Sequence, residues 1–157
     1  MIGFNESGTV VFDVMQPVPW TAETTLPYPE KNLAFQASSW SADGKKLAGA
    51  GVLLSDMSTV PAVLTYSLES KQYTILKNVI PEMRQSVVRD VITWLNDGRR
   101  LLAINGGRIY VIDVEAKKSR LVYDSPGLYW LSLSNDNRWI YLSQQADEGD
   151  IWLASLK

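Results

Sequence analysis

Apolar residues lie along most of the chain in short runs that are separated by turn signals. This pattern is typical of β-strands. The clearest run is RIYVIDV (108–114), in which Ile109 and Val111 lie on one face and Tyr110 and Ile112 on the other, because side chains alternate along a strand. A strand with two apolar faces is predicted to be buried on both sides. We therefore predict an all-β chain whose sheets are packed between neighbours.

One phrase occurs three times: an apolar or aromatic residue, a turn signal, a basic residue and an apolar strand. The copies are WSADGKKLA (40–48), WLNDGRRLL (94–102) and LSNDNRWIY (133–141). Asp-Gly and Asp-Asn pairs reach positive φ at low cost, and they close two-residue hairpins. We therefore predict such hairpins here, with Gly44 and Gly98 at positive φ, and a further hairpin at Asn105-Gly106.

A second phrase repeats out of phase with the first. Its copies are TVVFDV (9–14), AVLTYSL (62–68), RIYVIDV (108–114) and DIWLASL (150–156). Short polar turns and another strand follow the middle two copies. Each unit therefore has four strands, and a four-stranded unit of about 40–45 residues has the period of a β-propeller blade.

These residues carry a family likeness. The phrase W-S-x-D-G-K-x-L-A, followed by an I-Y-V-x-D-V strand, resembles the TolB-type, WD40-like β-propeller repeat, and the resemblance covers nearly the whole chain. The ending ADEGDIWLASLK (146–157) also resembles the last blade of the C-terminal propellers of some bacterial membrane-anchored serine/threonine kinases. That likeness implies a sensor role and an extracytoplasmic location. Kinase motifs themselves are absent from the sequence.

The predicted strands number about fourteen, or about three and a half blades, whereas closed propellers have about four to eight blades. The predicted units are a partial blade (1–32), two blades (33–77 and 87–124) and a blade without its last strand (128–157). WTAETTL (20–26) is the candidate last strand of the first unit. Such a set leaves strand edges open. We therefore expect either the missing remainder of a longer propeller or a homodimer that pairs its open ends.

The stretch PEMRQSVVRDVITWL (81–95) allows two interpretations. Its apolar residues have helical spacing, and Pro81 suits a first helical turn. The repeat register instead requires a strand directly before Asp97-Gly98. Both readings stay open for residues 81–94.

Composition excludes several kinds of chemistry. The chain has no cysteine and no histidine, so it has no disulfide, no Cys-His or Ser-His-Asp nucleophile and no His zinc site. Its net charge of −2 does not indicate nucleic-acid binding. Neither a signal peptide nor a membrane segment is visible. We expect no cofactor, no metal and no nucleic-acid partner, and the compartment stays open.

Five residues are candidates for ligand or partner binding. Arg89 and Asp90 fall on a predicted innermost strand that lines the central channel, and the alternative is an ion pair or an exposed helix face. Trp130 fits the repeat poorly. It either belongs to a surface on which a ligand stacks or packs in the core between blades. Asp147 and Glu148 have the oxygen ligands that Ca²⁺ prefers, and the alternative is a solvated hairpin.

The sequence favours a non-catalytic binding module for a protein, peptide or small-molecule ligand. The alternatives are a carboxylate-based hydrolase such as a propeller glycosidase, which needs neither His nor Cys, or the accessory propeller of a serine peptidase. A carboxylate pair about 5–10 Å apart on a pocket floor favours the hydrolase. Carboxylates scattered on hairpin tips favour binding.

Overall fold

The computed structural model describes residues 1–5, 8–57, 59–81 and 91–145, and these contain thirteen strands and no helix. The strands are β1 (Ile2–Asn5), β2 (Gly8–Val11), β3 (Thr24–Thr25), β4 (Leu33–Trp40), β5 (Lys46–Leu53), β6 (Thr59–Ser67), β7 (Gln72–Lys77), β8 (Ile92–Trp94), β9 (Arg100–Asn105), β10 (Arg108–Asp113), β11 (Lys118–Asp124), β12 (Leu128–Leu133) and β13 (Ile140–Gln144). In this part of the chain no helix is present that is long and apolar enough to cross a membrane.

The strands form four antiparallel sheets in which each strand pairs with its neighbours in sequence. The first sheet has the order β1-β2-β3, the second β4-β5-β6-β7, the third β8-β9-β10-β11 and the fourth β12-β13. The all-β prediction with four-stranded antiparallel units is therefore confirmed. The limits of the predicted blades remain predictions.

Three apolar clusters lie between successive sheets. The first cluster joins Leu26, next to β3, to Phe35 and Leu47 of the second sheet. The next joins the second and third sheets, and the last joins the third and fourth. The core is therefore a row of layers, and each inner sheet is buried on both faces.

Strand β10 shows how the alternating pattern produces this layering. Ile109 and Val111 pack in the cluster with the fourth sheet, whereas Tyr110 and Ile112 pack in the cluster with the second sheet. The predicted division of this strand between two buried faces is confirmed.

The repeated turns are longer than predicted. Gly44 and Gly98 do have positive φ, at 70° and 64°. However, the Ser41 N–H donates to Lys46 O at 2.8 Å, so the loop runs over 42–45 and the expected two-residue hairpin is wrong. The carboxylate of Asp43 accepts bonds from the Ser41 hydroxyl (2.6 Å) and the Lys45 N–H (3.0 Å). These bonds stabilise the wider loop, a role that Asp fills in Asx turns.

The two-residue hairpin occurs between β9 and β10. Asn105 pairs with Arg108, and Gly106 and Gly107 have φ of 58° and 80°. Two consecutive residues at positive φ are what a type I′ turn requires. The predicted hairpin is confirmed, with Gly106-Gly107 rather than Asn105-Gly106 at its centre.

Residues 92–94 form strand β8, which pairs with β9. The register argument for a strand before Asp97-Gly98 is confirmed there, while 82–90 lie outside the described residues. The candidate strand in 20–26 is present as the short β3, paired with β2. The predicted last strand, 150–156, lies outside the described residues.

Candidate binding groove

The first strand of the second sheet, β4, and the first strand of the third sheet, β8, are joined through two serine hydroxyls. Ser38 Oγ donates to Ile92 O at 2.6 Å, and Ser39 Oγ accepts the Trp94 N–H at 2.9 Å. Ser39 Oγ also lies 3.3 Å from Thr93 Oγ1. These side chains take the place of a strand-to-strand ladder, so they fix how β4 and β8 lie beside each other.

A bulge in β4 presents these serines to β8. The register with β5 shifts between Ala37 and Ser39, which leaves Ser38 without a partner residue. Gly49 lies opposite this bulge, and a Cβ there would be 1.9 Å from Gln36 O. The close approach of the two backbones therefore requires glycine at position 49.

Asparagine side chains join the loops that follow β8 and β12. Asn96 Nδ2 donates to Asn135 O at 2.6 Å, and the Asn96 N–H donates to Asn137 Oδ1 at 2.5 Å. Asn137 has φ of 55°, and its Nδ2 donates to Ser134 O at 3.2 Å. The third copy of the repeated turn is thus bonded to the second.

These strands and loops enclose a groove of about 810 Å³. Its described lining consists of uncharged residues from β4 and β5, from β8 with its flanks, and from β12 with the loop after it: Gln36, Ala37, Ser38, Ala42, Ala50, Val91, Ile92, Thr93, Trp94, Asn96, Trp130, Leu131, Ser132, Leu133, Ser134, Asn135 and Asn137. The volume is within the range of ligand sites in proteins, about 300–1,000 Å³.

Several polar groups in this lining have unused hydrogen-bonding capacity. The side chains of Gln36, Ser132 and Asn135 make no hydrogen bond within the described part of the chain, and neither does the indole N–H of the buried Trp94. Of these groups the Trp94 indole N–H is the buried one, whereas Gln36 is half-buried and Ser132 and Asn135 are exposed. Trp130 lines the same groove with 51% of its surface exposed. The side chains of Gln36, Ser132 and Asn135 therefore offer donors and acceptors to a ligand, and Trp130 offers an exposed aromatic face.

The carboxylates of Asp43 and Asp136 in the repeated turns accept hydrogen bonds from residues of their own turns. The Ser41 hydroxyl, followed by the Lys45 N–H, holds the pKa of Asp43 below its ordinary value. In the third copy the Ser134 hydroxyl and the Arg138 N–H lower the pKa of Asp136 in the same way. Both groups are therefore ionised hydrogen-bond acceptors near neutral pH.

A second pocket has two carboxylates in its lining, Asp13 and Glu23. The pKa of Asp13 is lowered, chiefly by the Met15 N–H and then by the Gln16 side chain. A catalytic general acid needs the opposite shift. Among the described residues there is also no group of three or more His, Cys, Asp or Glu that could hold a metal ion.

Trp130 is the predicted site residue that the structure places in the groove. Arg89, Asp90, Asp147 and Glu148 lie outside the described residues, and their roles stay predictions.

Sequence reasoning missed the groove's amides and hydroxyls. Two signals were present: Asn96 and Asn135 directly precede the Asp of their turns, where the first copy has Ala42, and three polar residues, Gln36, Ser38 and Ser39, interrupt an otherwise apolar strand. Their contacts cross between sheets, which local patterns do not encode.

Comparison with solved structures identifies the fold. A TolB protein from Agrobacterium tumefaciens matches with a TM-score of 0.58 at 15% identity, over 90% of this chain and 48% of that one. The chain has a TolB-like β-propeller fold. It spans about half the length of that structure.

Two other β-structures match with lower scores. An oligogalacturonate lyase from Vibrio parahaemolyticus matches with a TM-score of 0.48 at 13% identity, over 86% of this chain and 38% of that one. The Cps50 (Swd1) β-propeller domain from Myceliophteria thermophila matches with a TM-score of 0.42 at 16% identity, over 92% and 61%. No family model and no curated protein sequence matches the chain.

Proposed function

We propose that this chain is a non-catalytic binding domain, and that the groove between β4, β8 and β12 takes an extended, uncharged peptide segment. The observation that carries the proposal is the groove's described lining, which combines unused amide and hydroxyl groups with a half-exposed tryptophan and has no charged side chain. An ionic ligand would lose its hydration there without gaining a counter-charge from the described lining.

Two features favour a peptide over other uncharged ligands. Carboxamides such as those of Gln36 and Asn135 present a donor and an acceptor in one plane, which matches a peptide unit. The edge of β12 that faces away from β13 pairs with no other described strand. An extended peptide can bond to such an edge through its main chain. Trp130 then supplies an apolar contact for a side chain.

The described carboxylates support the non-catalytic part of the proposal. Asp43 and Asp136 lie on turns and have lowered pKa values, and Asp13 has a lowered pKa as well. A glycosidase needs one carboxyl group that stays protonated near neutral pH beside a second that is ionised. No described pair in the groove has this arrangement.

The test is a titration by calorimetry with a blocked hexapeptide of Ser, Thr, Asn and Val. Analogues with Lys or Glu in place of Asn, and cellohexaose, serve as competing probes. We expect the uncharged peptide to bind best, and Trp130→Ala to weaken binding by about tenfold or more. Trp20→Ala is the matched control, because Trp20 is exposed outside the groove.

Three results would contradict the proposal: tighter binding of a charged analogue or of cellohexaose, equal affinity of the Trp130 and Trp20 variants for the peptide, or cleavage of any probe by the protein.

A further inference from the structure

The sequence contains three dipeptides in which glycine follows Asp or Asn: Asp43-Gly44, Asp97-Gly98 and Asn105-Gly106. Such pairs can react within the main chain, because the glycine nitrogen can attack the side-chain carbonyl carbon of the residue before it and close a five-membered succinimide ring. Glycine hinders this approach least, since it has no Cβ. The three turns differ in whether the two reacting groups are free.

Both Asp-Gly turns engage the nitrogen that would attack. The Gly44 N–H donates to Ser41 O at 2.9 Å, and the Gly98 N–H donates to Leu95 O at 3.1 Å. Attack requires the glycine nitrogen to lose its proton and to turn toward the preceding side chain, so each of these hydrogen bonds must break first. The repeated turns therefore restrain the first reacting group.

The carboxylates of these two turns are restrained as well. Asp43 accepts two hydrogen bonds within its own loop. Asp97 accepts the main-chain N–H groups of Arg99 and Arg100, and it also accepts the Arg100 guanidinium. An ionised carboxylate in addition resists a nucleophile, because it is negatively charged and lacks a good leaving group. The second reacting group is therefore held in place and chemically unreactive in both turns.

The hairpin tip at Asn105-Gly106 has neither restraint. Within the described part of the chain the Gly106 N–H donates to no carbonyl oxygen, and the Asn105 side chain makes no hydrogen bond. Gly106 is exposed and has open space around its Cα, while Asn105 is half-buried. The Asn105 carboxamide is uncharged and can release ammonia. Both reacting groups are therefore free at this turn.

We propose that Asn105 is a site of spontaneous deamidation. The Gly106 nitrogen loses its proton to water or hydroxide and forms a bond to Asn105 Cγ. The Cγ–Nδ2 bond then breaks, so that ammonia leaves and a succinimide remains. Water opens this ring at either of its two carbonyl carbons and gives aspartate or isoaspartate. The net reaction consumes one water and releases one ammonia, and it needs neither an oxidant nor a reductant.

The products change the tip of the third sheet. Position 105 lies opposite Arg108 in the ladder between β9 and β10, and the Arg108 guanidinium binds Asp124 at 3.0 Å. Aspartate places a second anion beside this ion pair and adds one negative charge to the net charge of −2. Isoaspartate also adds a carbon to the main chain, so the pair between positions 105 and 108 loses its geometry. Deamidation therefore loosens this type I′ hairpin.

The test is incubation of the folded 157-residue chain at mildly alkaline pH, followed by digestion and mass spectrometry that resolves aspartate from isoaspartate. Asn135 is the matched control within the same chain. It is exposed and its side chain makes no hydrogen bond among the described residues, but the residue after it is Asp136. We expect Asn105 to convert at least about tenfold faster than Asn135, because the Cβ of Asp136 hinders the attack. Isoaspartate should be among the products.

A parallel incubation in guanidinium chloride separates the effect of the structure from that of the sequence. Unfolding removes the hydrogen bonds of the Asp-Gly turns, so isoaspartate at Asp43 and Asp97 should form faster than in the folded chain. The rate at Asn105 should change less than the rate at either aspartate. Three results overturn the proposal: Asn105 as slow as Asn135 in the folded chain, aspartate formed at position 105 without isoaspartate, or protection of Asn105 by folding as strong as that of Asp43 and Asp97.

Discussion

Replacing Gly49 by alanine is expected to destabilise the second sheet and its contact with the third. The new Cβ would lie 1.9 Å from Gln36 O and 2.7 Å from Ala37 Cα. Both are backbone atoms, so no side-chain rotation relieves the overlap, and β4 must move away from β5 by about an ångström. Overpacking of this kind costs about 1–3 kcal/mol.

The movement also disturbs the serines of the bulge. Ser38 and Ser39 bond to Ile92 O and to the Trp94 N–H, and each such hydrogen bond contributes about 1 kcal/mol. The combined loss is therefore about 3–5 kcal/mol, a large part of the roughly 5–15 kcal/mol by which domains are stable. With a urea m-value of about 2 kcal/mol/M, the unfolding midpoint should fall by about 2 M.

The assay is urea unfolding followed by tryptophan fluorescence, with Gly44→Asn as the control. Gly44 has φ of 70° and open space around its Cα, and Asn137 already occupies the equivalent place in the third turn at φ of 55°. The control should therefore lose at most about 1 kcal/mol. A Gly49→Ala midpoint equal to that of the wild type, or to that of the control, would refute the close-approach argument.

Three further predictions concern the turns and the serine contact. Ser39→Ala leaves the Trp94 N–H without its acceptor and should cost about 1–3 kcal/mol in the same urea assay. Gly98→Val should cost about 1 kcal/mol or more, because valine resists the positive φ of 64°, and an unchanged midpoint would contradict the turn assignment. The Asp43 pKa is lowered in the folded state by the Ser41 hydroxyl, so its stabilisation is present above its ordinary value of 3.8 and is lost as pH falls below it. The stability difference between the wild type and Ser41→Ala should therefore be larger at pH 7 than at pH 3, and a difference independent of pH would contradict this origin.

The layered fold could be predicted because the repeat encodes it locally. Alternation in β10 assigned its side chains to two buried faces, and the Asp-Gly pairs located turns with positive φ at Gly44 and Gly98. The length of those turns could not be predicted from the pair alone, since it depends on the bonds that Asp43 makes with its neighbours.

The groove could be predicted only in part. Trp130 was recognisable because it departs from the repeat, and it lines the groove. The bulge at Ser38 and its dependence on Gly49 come from the register between two strands. The Asn96 contacts with the loop after β12 join residues that are distant in sequence. Such contacts depend on how sheets lie against each other, which hydrophobic patterns leave undetermined.

The central claim is that the groove binds an uncharged peptide, and the indole N–H signals of ¹⁵N-labelled protein test it most directly. Tryptophan-to-phenylalanine variants assign the signals. The Trp94 indole is buried and has no acceptor among the described residues, Trp130 is half-exposed in the groove, and the Trp20 indole donates to Gln16 O elsewhere. Adding the blocked hexapeptide should shift the Trp94 and Trp130 signals in a saturable way and leave the Trp20 signal in place. Unmoved Trp94 and Trp130 signals at saturating peptide would contradict the account.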